Sequence, residues 1–196
     1  MKVKICGITN EEDADYSIKM GADIIGVILD FNVKRHGTSE LIEKIKDKHP
    51  DAMVTAVYTS MPTTAGKEDY IQLHFRHTEE DISYIKNVLG KSVISVIDFS
   101  EEDLKERVKS YTDAGADYVL IEDRNGISSK ISQLRKLPLN RIGIAGRIDS
   151  MNLEQLVPLG PALIDVSSSL EERVGKKSFE KVSEFFNKLG ECSVIR

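Results

Sequence analysis

Cysteine is scarce in this chain. Cys6 and Cys192 are the only two among 196 residues. They are too few and too far apart for a disulfide framework or a four-ligand zinc site, so both read as free thiols. The four histidines show neither His-x-His nor His-Glu-x-x-His spacing, and no metal is assigned to them. No apolar run approaches the ~20 residues that span a bilayer, and the N-terminus enters a strand pattern without a signal-peptide layout. A cytoplasmic protein without membrane contact is expected. Long basic runs are also missing, and the net charge is −5. That balance argues against a nucleic-acid surface, which needs clustered Lys and Arg, while small anionic ligands stay open wherever positive charge is local. No Pro/Gly/Ser linker, composition shift or low-complexity stretch divides the chain, so residues 1–196 read as one domain with 40% hydrophobic residues to fill its core. Composition leaves both a monomer and a homodimer open.

What is present is an alternation of short apolar runs and amphipathic stretches. Val3-Lys4-Ile5-Cys6 reads as a strand, Gly7 permits a tight turn, and Thr9-Asn10-Glu11-Glu12 fits a capping box opening a helix to Met20. Ile24 to Leu29 is a continuous apolar run, the pattern of a strand covered on both faces. A helix over Ser39–Lys48 and strands over Met53–Tyr58 and Tyr70–His74 follow, but the breakers in Met61-Pro62-Thr63-Thr64-Ala65-Gly66 predict that the third crossover helix is reduced or missing. Further helices are expected near 79–89, 101–114, 150–157 and 178–189, with a short one ending at Leu134. Strands are expected over 92–97, 118–121, 141–145 and 162–166. Gly115-Ala116-Asp117-Tyr118 repeats the helix end and strand start of Gly21-Ala22-Asp23-Ile24 four units later, as two half-barrels would. Eight strands alternating with helices predict an α/β fold, a single short (β/α)8 TIM barrel.

Chemistry in such a barrel sits on the loops after the strands. The residues at those positions are Cys6, Asp30, Arg35, Tyr58, His74, Asp98, Asp123, Gly146 and Ser167. The set holds a thiol that can act as a base, carboxylates that can act as acids, and an Arg suited to gripping a carboxylate. Gly146 and Ser167-Ser168-Ser169 follow strands seven and eight, where this fold often binds phosphate, so a small phosphorylated ligand is the expected partner.

Lys4-Ile5-Cys6-Gly7-Ile8-Thr9, Gln72-Leu73-His74, Ile144-Ala145-Gly146 with Asn152, and Ile164-Asp165-Val166-Ser167-Ser168 with Glu171 and Gly175-Lys176-Lys177 occur in the same order as in one known family. Over essentially its whole length the chain resembles the phosphoribosylanthranilate isomerases of tryptophan biosynthesis. The resemblance implies an Amadori rearrangement of N-(5-phosphoribosyl)anthranilate to the carboxyphenylamino-deoxyribulose phosphate, without metal or organic cofactor. It places the basic cysteine on Cys6 and the acidic aspartate on Asp123. Asp123 would protonate the furanose oxygen, Cys6 would take the C2 proton, and Arg35 would hold the anthranilate carboxylate. His74, at a strand end, either lines the pocket or is a hydrogen-bonded structural histidine, and the loops after strands seven and eight put Gly146, Ser167 and Ser168 toward the phosphate. Since strand neighbours point to opposite faces, only one of Glu122 and Asp123 should face the pocket, and the family pattern favours Asp123.

Some positions depart from the family. Val33-Lys34 replaces a Ser-Pro pair before Arg35, Phe75 replaces a Gly after Gln-Leu-His, and Arg147 replaces a second Gly after Gly146. Asn125-Gly126-Ile127-Ser128-Ser129 stands where a Gly-Gly-Thr-Gly-like phosphate loop is usual. Arg147 is either a surface charge or a side chain that supplies the phosphate with what the missing amides do not.

Overall fold

The computed structural model describes residues 1–194. Apolar and β-branched runs form eight strands: β1 (Lys2–Ile5), β2 (Ile24–Ile28), β3 (Met53–Tyr58), β4 (Tyr70–Leu73), β5 (Ser92–Asp98), β6 (Tyr118–Glu122), β7 (Ile142–Ala145) and β8 (Leu163–Val166). Each pairs in parallel with the next, and β8 returns to β1 through Lys2 with Leu163 and Ile5 with Val166, closing the expected (β/α)8 barrel. Among the described residues seven α-helices cover it: α1 (Glu11–Met20), α2 (Ser39–Lys48), α3 (Glu79–Tyr84), α4 (Leu104–Asp113), α5 (Ile131–Leu134), α6 (Leu153–Leu156) and α7 (Phe179–Val194). No helix lies between β3 and β4, as the breakers in that segment predict. Among the described residues, no helix is long and apolar enough to cross a membrane.

Local details differ from the expected ones for identifiable reasons. Asn10, not Thr9, caps α1 by accepting from Asp13 N at 2.9 Å, while the Thr9 hydroxyl donates to Gly175 O. The helix expected to start at Glu101 starts at Leu104, because Asp98 accepts from Ser100 N at 2.8 Å and turns the chain first. The 79–89 helix is α-helical to Tyr84 and finishes in a π turn over Ile85–Leu89. A two-stranded hairpin that the sequence pattern did not signal, β9 (Glu171–Arg173) with β10 (Lys176–Lys177), lies between β8 and α7.

Period-two alternation divides the strand side chains into two layers. Outward residues such as Ile5, Ile25, Val54, Ile71, Val93, Ile121 and Ile164 pack against the helices. Inward residues Ile24, Ile94, Leu120, Ala145 and Leu163 form a small apolar cluster inside the barrel, with Tyr70, Val96 and Tyr118 beside it. Above it the interior becomes polar, with Lys4, Thr55, Gln72 and Asp165 all buried.

The Gly-Ala-Asp repeat has a structural meaning. Asp23 accepts from Val3 N at 2.8 Å and pairs with Lys2, and Asp117 accepts from Val93 N at 2.7 Å and pairs with Lys86. Asp69, outside the repeated motif, does the same for Val54 N at 2.7 Å and pairs with Lys46. Each aspartate precedes an even strand and ties down the first buried amide of the odd strand before it. Asp117→Ala leaves that amide of Val93 without its side-chain acceptor, so a loss of about 1–3 kcal/mol is expected in urea unfolding, with activity retained below the transition. A change within the scatter of surface substitutions would mean that the bond is not structural.

Candidate active site

The carboxyl ends of the strands enclose a cavity of about 540 Å³. Cys6 enters it directly after β1. Its side chain is buried, and its backbone N–H donates to Val166 O at 2.8 Å, so the thiol position is set by barrel closure. Gly26 of β2 makes the room: a Cβ there would lie 2.9 Å from Cys6 Sγ and 3.0 Å from Lys4 Nζ. Burial pushes the Cys6 thiol above its ordinary range, and Lys4 opposes that shift.

The cavity is lined by His74, Glu122, Arg35, Gly146, Arg147, Ser167 and Ser168, among others. Of the residues expected at the strand ends, Asp123 is not in its wall, and neither are Asp30, Tyr58 and Asp98. Leu120 points into the barrel, so two residues on Glu122 does too, and Asp123 turns the other way. Asp123 Oδ1 instead accepts from Asn125 N at 2.8 Å, and Oδ2 stands 3.6 Å from Lys130 Nζ. The expectation that Asp123 rather than Glu122 faces the pocket is therefore corrected by the side-chain phase of β6. Glu122 meets His74 Nε2 at 3.3 Å and Arg124 Nε at 3.5 Å. Burial works to raise its carboxyl, but hydrogen bonding and charge from His74 and Arg124 prevail and hold it below the ordinary glutamate value. The signal that could have found Glu122 was in the pattern: Leu120 and Glu122 share a face, and so do Lys4 and Cys6.

Arg35 lies with its stem against Gly7, where a Cβ would meet Arg35 Cδ at 2.8 Å. Its guanidinium reaches both oxygens of Glu171, at 3.1 and 3.3 Å. The same Glu171 stands 3.5 Å from Lys177 Nζ, which donates to Cys6 O at 2.7 Å and Ser167 O at 3.1 Å. The hairpin thus clamps the ends of β1 and β8 together. Ser167 Oγ also donates to Cys6 O, at 3.0 Å.

Gly146 is required by packing: a Cβ there would stand 2.0 Å from Asp123 O, at a φ of 115°. Arg147 follows in the left-handed region at φ 49°, unusual for a residue with a Cβ. It lines the cavity beside Ser167, Ser168 and Ser169 and is otherwise exposed. Ile127 N donates to Gly146 O at 3.1 Å, so the loop from Asn125 to Ser129 docks on β7, and none of its residues reaches the cavity wall.

The sequence model of the N-(5'-phosphoribosyl)anthranilate (PRA) isomerases matches residues 3–188. This chain belongs to that isomerase family. A relative named N-(5'-phosphoribosyl)anthranilate isomerase, from Thermoplasma volcanium, is 43% identical over 193 residues and aligns with 96% of both chains. The phosphoribosyl anthranilate isomerase of Thermus thermophilus superposes with a TM-score of 0.80 at 24% identity, covering 97% of this chain and 99% of that one, a likeness of fold. A phosphoribosyl anthranilate isomerase in complex with reduced 1-(o-carboxyphenylamino)-1-deoxyribulose 5-phosphate has a TM-score of 0.79 at 23% identity, with the same coverage.

Gly26→Ala tests whether the room between β1 and β2 is needed by the family site. The added methyl must displace Cys6 or Lys4, so a loss of about 1–3 kcal/mol of stability is expected, together with a drop in turnover. Unchanged turnover with unchanged stability would show that both side chains relax freely.

Proposed function

We propose that this member of the isomerase family carries out the Amadori rearrangement of N-(5'-phosphoribosyl)anthranilate with Cys6 as base and the Glu122–His74 pair as proton donor. The observation that carries this reading is that a thiol and a carboxylate–imidazole pair share one cavity, three strands apart around the barrel. Ring opening needs a proton on the furanose oxygen as the anthranilate nitrogen lone pair forms the C1=N bond. His74, held by the Glu122 carboxylate, supplies that proton. The Cys6 thiolate then removes the proton from C2, giving the enolamine, and protonation at C1 with formation of the C2 carbonyl completes the isomerisation without net gain or loss of atoms. A side chain on one wall that takes a proton and a pair on another that gives one suits a reaction needing both in sequence.

The phosphate is assigned to the end formed by Gly146, Arg147, Ser167 and Ser168. Arg147 supports this because its side chain joins the cavity wall where the Asn125–Ser129 loop does not. The anthranilate carboxylate is assigned to Arg35, which must share its guanidinium with Glu171 or exchange it for the ligand.

Turnover followed by loss of anthranilate fluorescence distinguishes the two neighbouring carboxylates. Cys6→Ala and Glu122→Gln are each expected to lose about 10²–10⁴-fold in kcat, while Asp123→Asn stays within about tenfold of wild type. Collapse of Asp123→Asn beside an active Glu122→Gln would return the acid role to Asp123. Arg147→Ala is expected to raise KM by about tenfold or more with little change in kcat, as loss of a charged phosphate contact would. Unchanged kinetics would place Arg147 among the surface charges. Because burial raises the thiol and its ionised form is the base, kcat should increase as pH rises from neutral, and a flat profile would argue against thiolate chemistry.

A further inference from the structure

Directly beneath the cavity floor lies a charged group that the reaction scheme does not use. Lys4 is fully buried, and its Nζ donates to Asp165 Oδ2 at 2.9 Å. Both residues point inward, Lys4 two positions before Cys6 on β1 and Asp165 opposite Lys4 on β8. The ammonium and the thiol are neighbours, since Lys4 Nζ and Cys6 Sγ lie 3.0 and 2.9 Å from the same point above Gly26. Asp165 Oδ1 has no hydrogen-bond partner, so the carboxylate's fixed contact is the lysine. Isolated charges are not tolerated at this depth, and a buried pair is seldom worth more than apolar residues of the same size. Stability alone therefore does not call for an amine beside the thiol, although once the two charges are there each needs the other.

We propose that Lys4 is a positioning residue for Cys6: its ammonium holds the thiolate in place and stabilises it, and Asp165 anchors the ammonium while limiting how much of its charge the thiolate receives. This deepens the reading of Cys6 as the base and rests on it. Other charged groups face the same thiol or its cavity. Lys177, from the hairpin side, favours the thiolate. Arg35 is occupied by Glu171, and His74, Glu122, Arg124 and Arg147 stand elsewhere in the cavity wall. All of them stay constant in the variants that test the pair.

The proposal requires shifts of opposite sign. Lys4→Met removes the cation and leaves Cys6 buried, so the thiol should ionise at a pH higher by about one unit or more. Asp165→Asn removes the anion and leaves Lys4 free to serve the thiolate, so ionisation should move to lower pH. A merely structural pair would behave otherwise, because loosening hydrates the site and brings a thiol raised by burial back down in both variants.

The measurement is the rate of iodoacetamide alkylation of Cys6 in the full-length protein against pH, read by mass spectrometry of the Cys6 peptide, with folding checked by circular dichroism. At a fixed neutral pH, Lys4→Met should react about tenfold more slowly than wild type or slower still, and Asp165→Asn faster. Shifts of the same sign, or no shift in Lys4→Met, would overturn the proposal. If Lys4→Met does not fold, Lys4→Met combined with Asp165→Leu replaces the pair by apolar side chains and must still raise the ionisation pH, and a fall or no change overturns the idea equally. Alkylation needs no turnover, so the two readings fail separately. If Cys6→Ala keeps its activity the base assignment falls, whereas the alkylation shifts decide the role of Lys4 by themselves.

Discussion

The buried contact between Lys4 and Asp165 is the constraint on which the upper half of the barrel depends. Two charges removed from water lose several kcal/mol of hydration each, so they persist only where each satisfies the other. Here the pair joins β1 to β8, the two strands that close the barrel, at the level where its interior changes from apolar to polar. Gly26 is part of the same arrangement, because any side chain at that point of β2 would occupy the space of the lysine head and the thiol.

The closure is reinforced from outside by the hairpin after β8. Lys177 reaches the backbone oxygens of Cys6 and Ser167, and Glu171 holds both Lys177 and Arg35. Lys176 anchors the hairpin to α1 through Asp13, 2.7 Å away, and Asp13 Oδ2 accepts from Lys177 N at 2.7 Å. Burial lowers the Lys177 amine against the charge of Glu171. A series of ion pairs and hydrogen bonds therefore runs from the first helix to the backbone of Cys6. The position of Cys6 is thus set by long-range contacts although its motif is only a few residues long.

Much of the architecture was legible because local and global preferences agree. Ser39–Lys48 and Met53–Tyr58 have the expected bounds, since Thr38 caps α2 and Pro50 follows it, while the strand is an unbroken β-favouring run. The missing third helix was legible from its breakers. The β9–β10 hairpin was not, because Glu171-Glu172-Arg173 and Lys176-Lys177 carry no apolar alternation and pair through contacts made only once the barrel is closed. The cap of α1 falls on Asn10 for a similar reason: Thr9 is drawn away by the Gly175 carbonyl, over a hundred residues distant.

The order of residue types in the chain determined the strand count, the family, the cysteine at the first strand end and the small, polar end of the site at Gly146 and Ser167-Ser168. These follow from short-range patterns, and such patterns survive without knowledge of what packs against them. Tertiary structure alone decided which side chains meet. Neighbouring carboxylates at Glu122 and Asp123 are equivalent in composition, but the phase of β6 sends one to His74 and the other to Asn125. Likewise Lys4 reads as an ordinary charged residue until β8 brings Asp165 opposite it. A strand's side-chain alternation is local, while its inward side is defined only when the sheet closes on itself.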